Sequence, residues 1–170
     1  GVRNEVRLAK EGKPARIMAK MNALLEPDLI EELYAASQAG VQIDLIIRGV
    51  CALRPGVAGL SDNIRVRSVV GRFLEHTRIC YFQNEGAEDV FLSSADWMDR
   101  NFFRRIELAF PVLDPALKQR VIGEGLRAYL DDSSQAWTMN SEGVYEPPPP
   151  KRGKPRMVQE ELLRTLAPVS

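Results

Sequence analysis

Val41-Gln42-Ile43-Asp44-Leu45-Ile46-Ile47 is an apolar run broken only by Gln42 and Asp44, and its reading decides the fold. A short run this rich in Ile and Leu suits a central strand buried on both faces, as in a parallel sheet. Just upstream, Glu26 to Ala39 carries the marks of a helix: Pro27 in the first turn, acids at 26, 28, 31 and 32, and Gly40 as the stop. Leu29, Ile30, Leu33, Tyr34 and Ser37 fall on one face of it. Further upstream, Ala15 to Met21 reads as a short strand ending near Lys20. Strand, helix and strand in this order make a βαβ unit with parallel strands. Arg48 then lies at the carboxyl end of the central strand, the edge where open α/β sheets bind ligands.

Outward from this unit, residues 2–10 carry a short helical pattern, which Gly12-Lys13-Pro14 breaks. Residues 54–59 read as a loop, and strands are expected at 64–70, 77–82, 89–93 and 105–110. In the second of these, period two would put His76, Arg78, Cys80 and Phe82 on one side. Glu85-Gly86 reads as a hairpin-like turn, Pro115 to Leu130 as a helix, and 137–139 and 144–145 as weak strands. Pro147 to Pro150 is a polyproline stretch before a short amphipathic helix at 157–166. The expected fold class is α/β, a mixed and mostly parallel sheet flanked by helices. Residues 1–146 form the domain, and 147–170 a Pro-rich basic linker with a C-terminal helix.

Lys plus Arg and Asp plus Glu both total 23, so the chain as a whole is no sponge for polyanions, and an anion site must be local. Arginine supplies 17 of the 23 cations. The guanidinium fork suits phosphate, although a GC-rich genome would produce the same bias. Cys51 and Cys80 form neither a disulfide framework nor a zinc motif, and read as buried reduced thiols. No signal peptide and no run of about 18 apolar residues is present. The chain opens on Gly1 rather than Met, already inside a helical pattern, and reads as part of a longer protein.

His76, the single histidine, sits in Gly71-Arg72-Phe73-Leu74-Glu75-His76-Thr77-Arg78. Neutral imidazole accepts a proton or attacks phosphorus, and protonated imidazole donates a proton. A structural histidine hydrogen-bonded in the core is the competing reading. Arg48 is a candidate phosphate clamp or an ordinary turn arginine, and Gly49 after it would let a ligand approach. Arg104 and Arg105 point to opposite faces of their strand, so one of them can face the site. Ser93, Ser94 and Asn101 supply neutral donors, Asp96 could bind the histidine or an arginine, and Trp97 reads as core. Lys20 and Arg78 complete the candidates. Lys151, Arg152, Lys154 and Arg156 form a basic cluster that is as readily a solvated surface. No Walker loop, GxGxxG, CxxC or HExxH occurs.

Several stretches, in order, resemble the carboxyl-terminal domain of bacterial polyphosphate kinases of the type that phosphorylates its own histidine. They are Lys20-Met21-Asn22-Ala23-Leu24, Ala36-Ser37-Gln38-Ala39-Gly40-Val41, Ile47-Arg48-Gly49-Val50-Cys51 with Arg54-Pro55-Gly56, and Ile64-Arg65-Val66. Val70 to His76, Ser93-Ser94-Ala95-Asp96-Trp97-Met98 with Arg100-Asn101, and Arg104-Arg105 continue the match. It runs from about residue 14 to 110 and is looser beyond.

The resemblance implies a phospholipase D-like domain. It implies reversible transfer of the terminal phosphate of ATP to inorganic polyphosphate, through a phosphohistidine in a preceding domain. His76 would be the catalytic residue facing that phosphohistidine, and Arg48, His76 and Arg105 would bind ATP phosphates. Magnesium would serve the complete enzyme, with its ligands outside this chain. ATP or ADP, polyphosphate, the preceding domains and a homo-oligomeric full-length enzyme are the implied partners, with no nucleic acid. The implied location is the cytoplasm, with membrane association of the full-length enzyme. The isolated chain is expected to be inactive. The phospholipase D signature His-x-Lys-x-x-x-x-Asp is altered here, with Arg78 at the lysine position and Gln83 at the aspartate position, which argues against a self-sufficient phosphodiesterase. Cys80 stands where the family suggests tyrosine. The alternative is a non-catalytic polyanion- or nucleotide-binding module.

Overall fold

The computed structural model describes residues 1–94, 96, 109–150 and 153–167. The described elements are α1 (Val2–Lys10), β1 (Arg16–Met21), α2 (Pro27–Gln38), β2 (Gln42–Ile47), β3 (Ile64–Val69), β4 (Ile79–Phe82), β5 (Asp89–Ser93) and β6 (Ala109–Pro111). There follow α3 (Pro115–Arg120), a π-helical stretch (Val121–Arg127), α4 (Ala128–Leu130), β7 (Ala136–Met139), β8 (Tyr145–Glu146) and α5 (Val158–Leu166). The described strands join one sheet in the order β6-β5-β4-β1-β2-β3-β7-β8.

The βαβ unit is as expected: β1 and β2 are parallel with α2 as the crossover, and β3 lies parallel on the other side of β2. The sheet is mixed, but the expectation that it is mostly parallel is corrected. The five pairings β1–β4, β3–β7, β4–β5, β5–β6 and β7–β8 are antiparallel. The physical reason is connection length. Tight turns join β4 to β5 and β7 to β8, and only antiparallel neighbours can be joined that way. The β4–β5 turn runs through Asn84 and Glu85, which take positive φ of 42° and 54°.

The strands' alternation divides the core into two layers. Ile17, Ala19, Met21, Ile43, Leu45, Ile47, Ile64 and Val66 face α1 and α2. Met18, Ile46, Val69, Ile79 and Tyr81 face the other way, onto Ile122, Leu126, Tyr129 and Val158. The helix over this second layer starts at Asp114, whose side chain caps the Leu117 amide at 2.8 Å, with Pro115 next. It passes Ile79 at Gly125, where a Cβ would lie 2.4 Å from Ile79 Cδ1. At its end the Arg67 guanidinium donates to the Leu130 and Tyr129 carbonyls at 2.5 and 3.3 Å, closing groups a helix leaves open.

Candidate active site

Mixed pairing is what assembles the site. β1, β2 and β3 all end at one edge of the sheet, while β4 runs against β1 with Ile79 opposite Lys20. The start of β4, preceded by His76 and Arg78, therefore lies where β1 and β2 end. β5 reverses again, Leu92 pairing with Ile79, so Ser93, Ser94 and Asp96 return to this edge. A wholly parallel arrangement would send His76 to the opposite side. His76 and Arg78 precede the strand rather than belong to it, because pairing begins at Ile79.

Beyond the strand ends the backbones of β1 and β2 stay paired: the Arg48 amide donates to the Met21 carbonyl at 3.2 Å and the Gly49 amide to that of Asn22 at 2.7 Å. A Cβ on Gly49 would sit 3.0 Å from the Asn22 carbonyl oxygen. Gly49 thus serves the approach of two backbones, where the sequence suggested room for a ligand. Lys20, Met21, Ile46, Arg48, Val69 and Glu75 line a shallow recess at this edge. Arg48 is half-buried, and its guanidinium has no carboxylate partner among the described residues.

Lys20 is committed elsewhere. Only 3% exposed, its ammonium lies 2.5 Å from Glu75 Oε2 and 3.5 Å from the centre of the Tyr129 ring. Burial lowers its pKa, against the opposing pull of Glu75. Burial first, and then the Glu75 charge and hydrogen bond, raise the Tyr129 phenol. Glu75 accepts a further bond from Gln159 Nε2 at 2.7 Å. The lysine expected to meet phosphate is thus already neutralised inside the domain.

His76 is exposed. Arg78 Nη1 donates to the His76 carbonyl at 3.2 Å and stands 3.5 Å from its Nδ1. With Nδ1 turned to a guanidinium, which only donates, Nε2 is left for a ligand. Arg78 is itself held: its Nε lies 2.8 Å from Asp96 Oδ1, which also accepts the Asn22 amide at 2.7 Å. One carboxylate thereby ties the end of β1 to the arginine beside His76, so of the two partners open to Asp96 the structure selects the arginine. The Ser93 amide donates to the Arg78 carbonyl at 3.1 Å, and Ser94 is exposed next to it. Both cysteines are reduced. Burial pushes the half-buried Cys51 thiol up to about 11, which keeps it protonated and unreactive at neutral pH.

The structure therefore gathers Arg48, His76, Arg78 and Ser94 at one edge, with Lys20 beneath them. Asn101 and Arg105, with Arg104, Trp97, Lys151 and Arg152, lie outside the described residues. In the basic cluster, Arg156 is paired with Glu161 and Asp131 at 3.0 and 3.4 Å. Sequence reasoning missed Glu75, Tyr129 and Gln159. Glu75 had a signal, its place beside His76. Gln159 had none, since it meets Glu75 across a separation of 84 residues. As for magnesium, no three His, Cys, Asp or Glu side chains converge among the described residues, and Glu75 and Asp96 are each bound to a cation. The described residues do not fit that ion, and no step below runs through it.

A mixed α/β sheet with arginines and a histidine gathered at the edge where its parallel strands end has the architecture of the phospholipase D-like class. A family model described as polyphosphate kinase C-terminal domain 2 matches residues 1–159, and the chain belongs to this family. It is 67% identical over 144 residues to a polyphosphate kinase of Paraburkholderia phytofirmans, covering 85% of this chain and 21% of that protein. With a polyphosphate kinase of Neisseria meningitidis it shares 59% identity over 165 residues, 97% of this chain and 24% of that protein. The crystal structure of polyphosphate kinase from Porphyromonas gingivalis superposes with a TM-score of 0.88 at 40% identity, over 97% of this chain and 25% of that one. The chain thus spans about a fifth to a quarter of the length of these relatives. Among the described residues no helix is long and apolar enough to cross a membrane.

Proposed function

We propose that this chain forms the carboxyl-terminal side of a polyphosphate kinase active site. The full-length enzyme would transfer the terminal phosphate of ATP reversibly to inorganic polyphosphate, through a phosphohistidine in a preceding domain. The observation that carries this reading is the meeting of Arg48, with no carboxylate partner among the described residues, and exposed His76 at one strand edge, in a chain of this family. Arg48 holds phosphate oxygens and stabilises charge that develops during transfer, and Arg105 joins it. His76 shuttles a proton or orients the phosphoryl group facing it. Arg78 fixes the imidazole, and Asp96 fixes Arg78. The enzyme works on ATP or ADP and polyphosphate in the cytoplasm as a homo-oligomer, and this chain alone turns nothing over.

The test is His76→Ala and Arg48→Ala in the full-length enzyme, assayed for ATP-dependent polyphosphate synthesis and for the reverse reaction. His76→Ala is expected to lower turnover about 10² or more, the size of a lost acid–base group. Arg48→Ala weakens ATP and polyphosphate together. Turnover intact in His76→Ala, with only a modest loss of affinity, would replace this reading with the non-catalytic binding module.

A further inference from the structure

The segment that carries His76 is held from the far end of the chain. Residues 71–78 belong to no helix or strand, and Phe73 and Leu74 are 46% and 75% exposed, so hydrophobic burial contributes little to fixing them. Gln159, in the first turn of α5, is 6% exposed and does the holding. Its Oε1 accepts the Phe73 amide at 2.8 Å, and its Nε2 donates to the Phe73 carbonyl at 2.8 Å and to Glu75 Oε1 at 2.7 Å. One side-chain amide thus satisfies both backbone groups of Phe73, as a neighbouring strand would, and grips the carboxylate next to His76.

Gly71 makes the space: a Cβ there would lie 2.3 Å from Gln159 Oε1. The helix that presents Gln159 is anchored in turn. The Val158 amide donates to Asp132 Oδ2 at 2.8 Å, and Val158 packs among Tyr129, Leu126 and Ala136. Asp132 also accepts the Ser134, Gln135 and Ala136 amides at 3.0, 2.7 and 3.0 Å, so the anchor is tied to the start of β7. A loop with few apolar contacts of its own samples open states readily unless such bonds hold it.

We propose that Gln159 is a positioning residue for His76, and that α5 is the latch that fixes residues 71–76 in the geometry the reaction uses. This rests on the reading of His76 given above. Gln159 touches no reacting atom. It acts through Phe73 and Glu75 on the direction in which the imidazole is presented.

The experiment uses the full-length enzyme with Gln159→Leu, Gly71→Ala, His76→Ala and the double variant Gln159→Leu with His76→Ala. Gly71→Ala displaces the amide without removing it, so a folding failure of one variant leaves the other to decide. Amide hydrogen exchange at residues 72–76 is expected to speed up about tenfold or more in Gln159→Leu and in Gly71→Ala. Turnover is expected to fall about tenfold, since small misplacements of a reacting group are costly, while KM for ATP stays within about twofold. In the His76→Ala background, Gln159→Leu should cost nothing further, because both changes act through one imidazole. Unchanged exchange at 72–76 would overturn the latch. A turnover loss of equal size with and without His76 would overturn the positioning role and leave only general destabilisation. If His76→Ala itself keeps full turnover, the catalytic reading falls, and the exchange data still report separately whether α5 holds the loop.

Discussion

The two faces of the sheet are built from alternate residues of the same strands, yet they carry different chemistry. The face against α1 and α2 presents an apolar layer from its central strands, with Ile17, Ala19, Ile43, Leu45 and Val66 all buried. The opposite face mixes Met18, Ile46 and Val69 with buried charges at its two ends. Near the amino ends of the strands, Asp44 lies between Arg16 and Arg65 at 2.6 and 2.8 Å. Near the carboxyl ends, Lys20 lies on Glu75 under the Tyr129 ring. The arginines of the first cluster reach solvent, whereas the pair in the second is enclosed. The difference teaches where charge is structural and where it supports a site. A carboxylate between exposed guanidiniums staples strands together, while an enclosed ammonium–carboxylate pair can hold a loop to one direction.

The sharpest way to break this contrast is Lys20→Met. It leaves Glu75 buried with only neutral partners, and should destabilise the chain by about 4 kcal/mol in a denaturant titration. Adding Glu75→Leu should recover most of that loss, because a buried pair replaced whole by apolar groups is close to neutral, yet the Gln159–Glu75 bond would be lost and only the two bonds to Phe73 would remain. On the apolar face Leu45→Ala, at a position with 0% exposure, should cost about 3 kcal/mol by the same titration, with KM for ATP in the full-length enzyme unaltered.

Asp44→Asn is the smaller counterpart of Lys20→Met. Its arginines can turn to water, so the expected loss is about 1 kcal/mol. A loss as large as that of Lys20→Met would erase the distinction between the two charged clusters.

The smallest effect is in alkali and separates the phenols from Lys20. Burial pushes Tyr81 and Tyr145 up to about 12 and raises Tyr129 as well. The stability these protonated phenols contribute is complete below the ordinary value of 10.0 and drains away as pH climbs through about 12. Lys20, lowered from its ordinary 10.5, works the other way and adds stability as pH approaches that value. Melting temperatures from about pH 8 to about pH 12, with tyrosinate absorbance alongside, should show a shallow rise or plateau and then a fall. In Lys20→Met the rise should be absent.

Much of this was legible in the sequence because it is local. The apolar run at 41–47, the capped helix before it and the strand before that specify the parallel unit without help from the rest of the chain, and Arg48 follows as a strand-end residue. The direction of β4 was not legible. Pairing with β1 joins residues far apart in sequence, and strand periodicity is the same for either direction. The strand expected at 77–82 pairs only from Ile79, so Arg78 stands just ahead of it together with His76. Lys20 was rightly placed at the edge but not in its ion pair, since nothing near it in sequence announces Glu75.

What the sequence by itself determined is the class of fold, the family and the short list of cations that could meet phosphate. These rest on patterns within single elements and on residues read in order. Tertiary structure alone decided which of those cations remain available. An antiparallel fourth strand brings His76 back to the edge where Arg48 waits, Glu75 takes Lys20 out of reach, and Gln159 arrives from the last helix to hold the loop between them. Each of these is a contact across a long stretch of chain, set by how whole elements pack, and no local pattern of side chains encodes it.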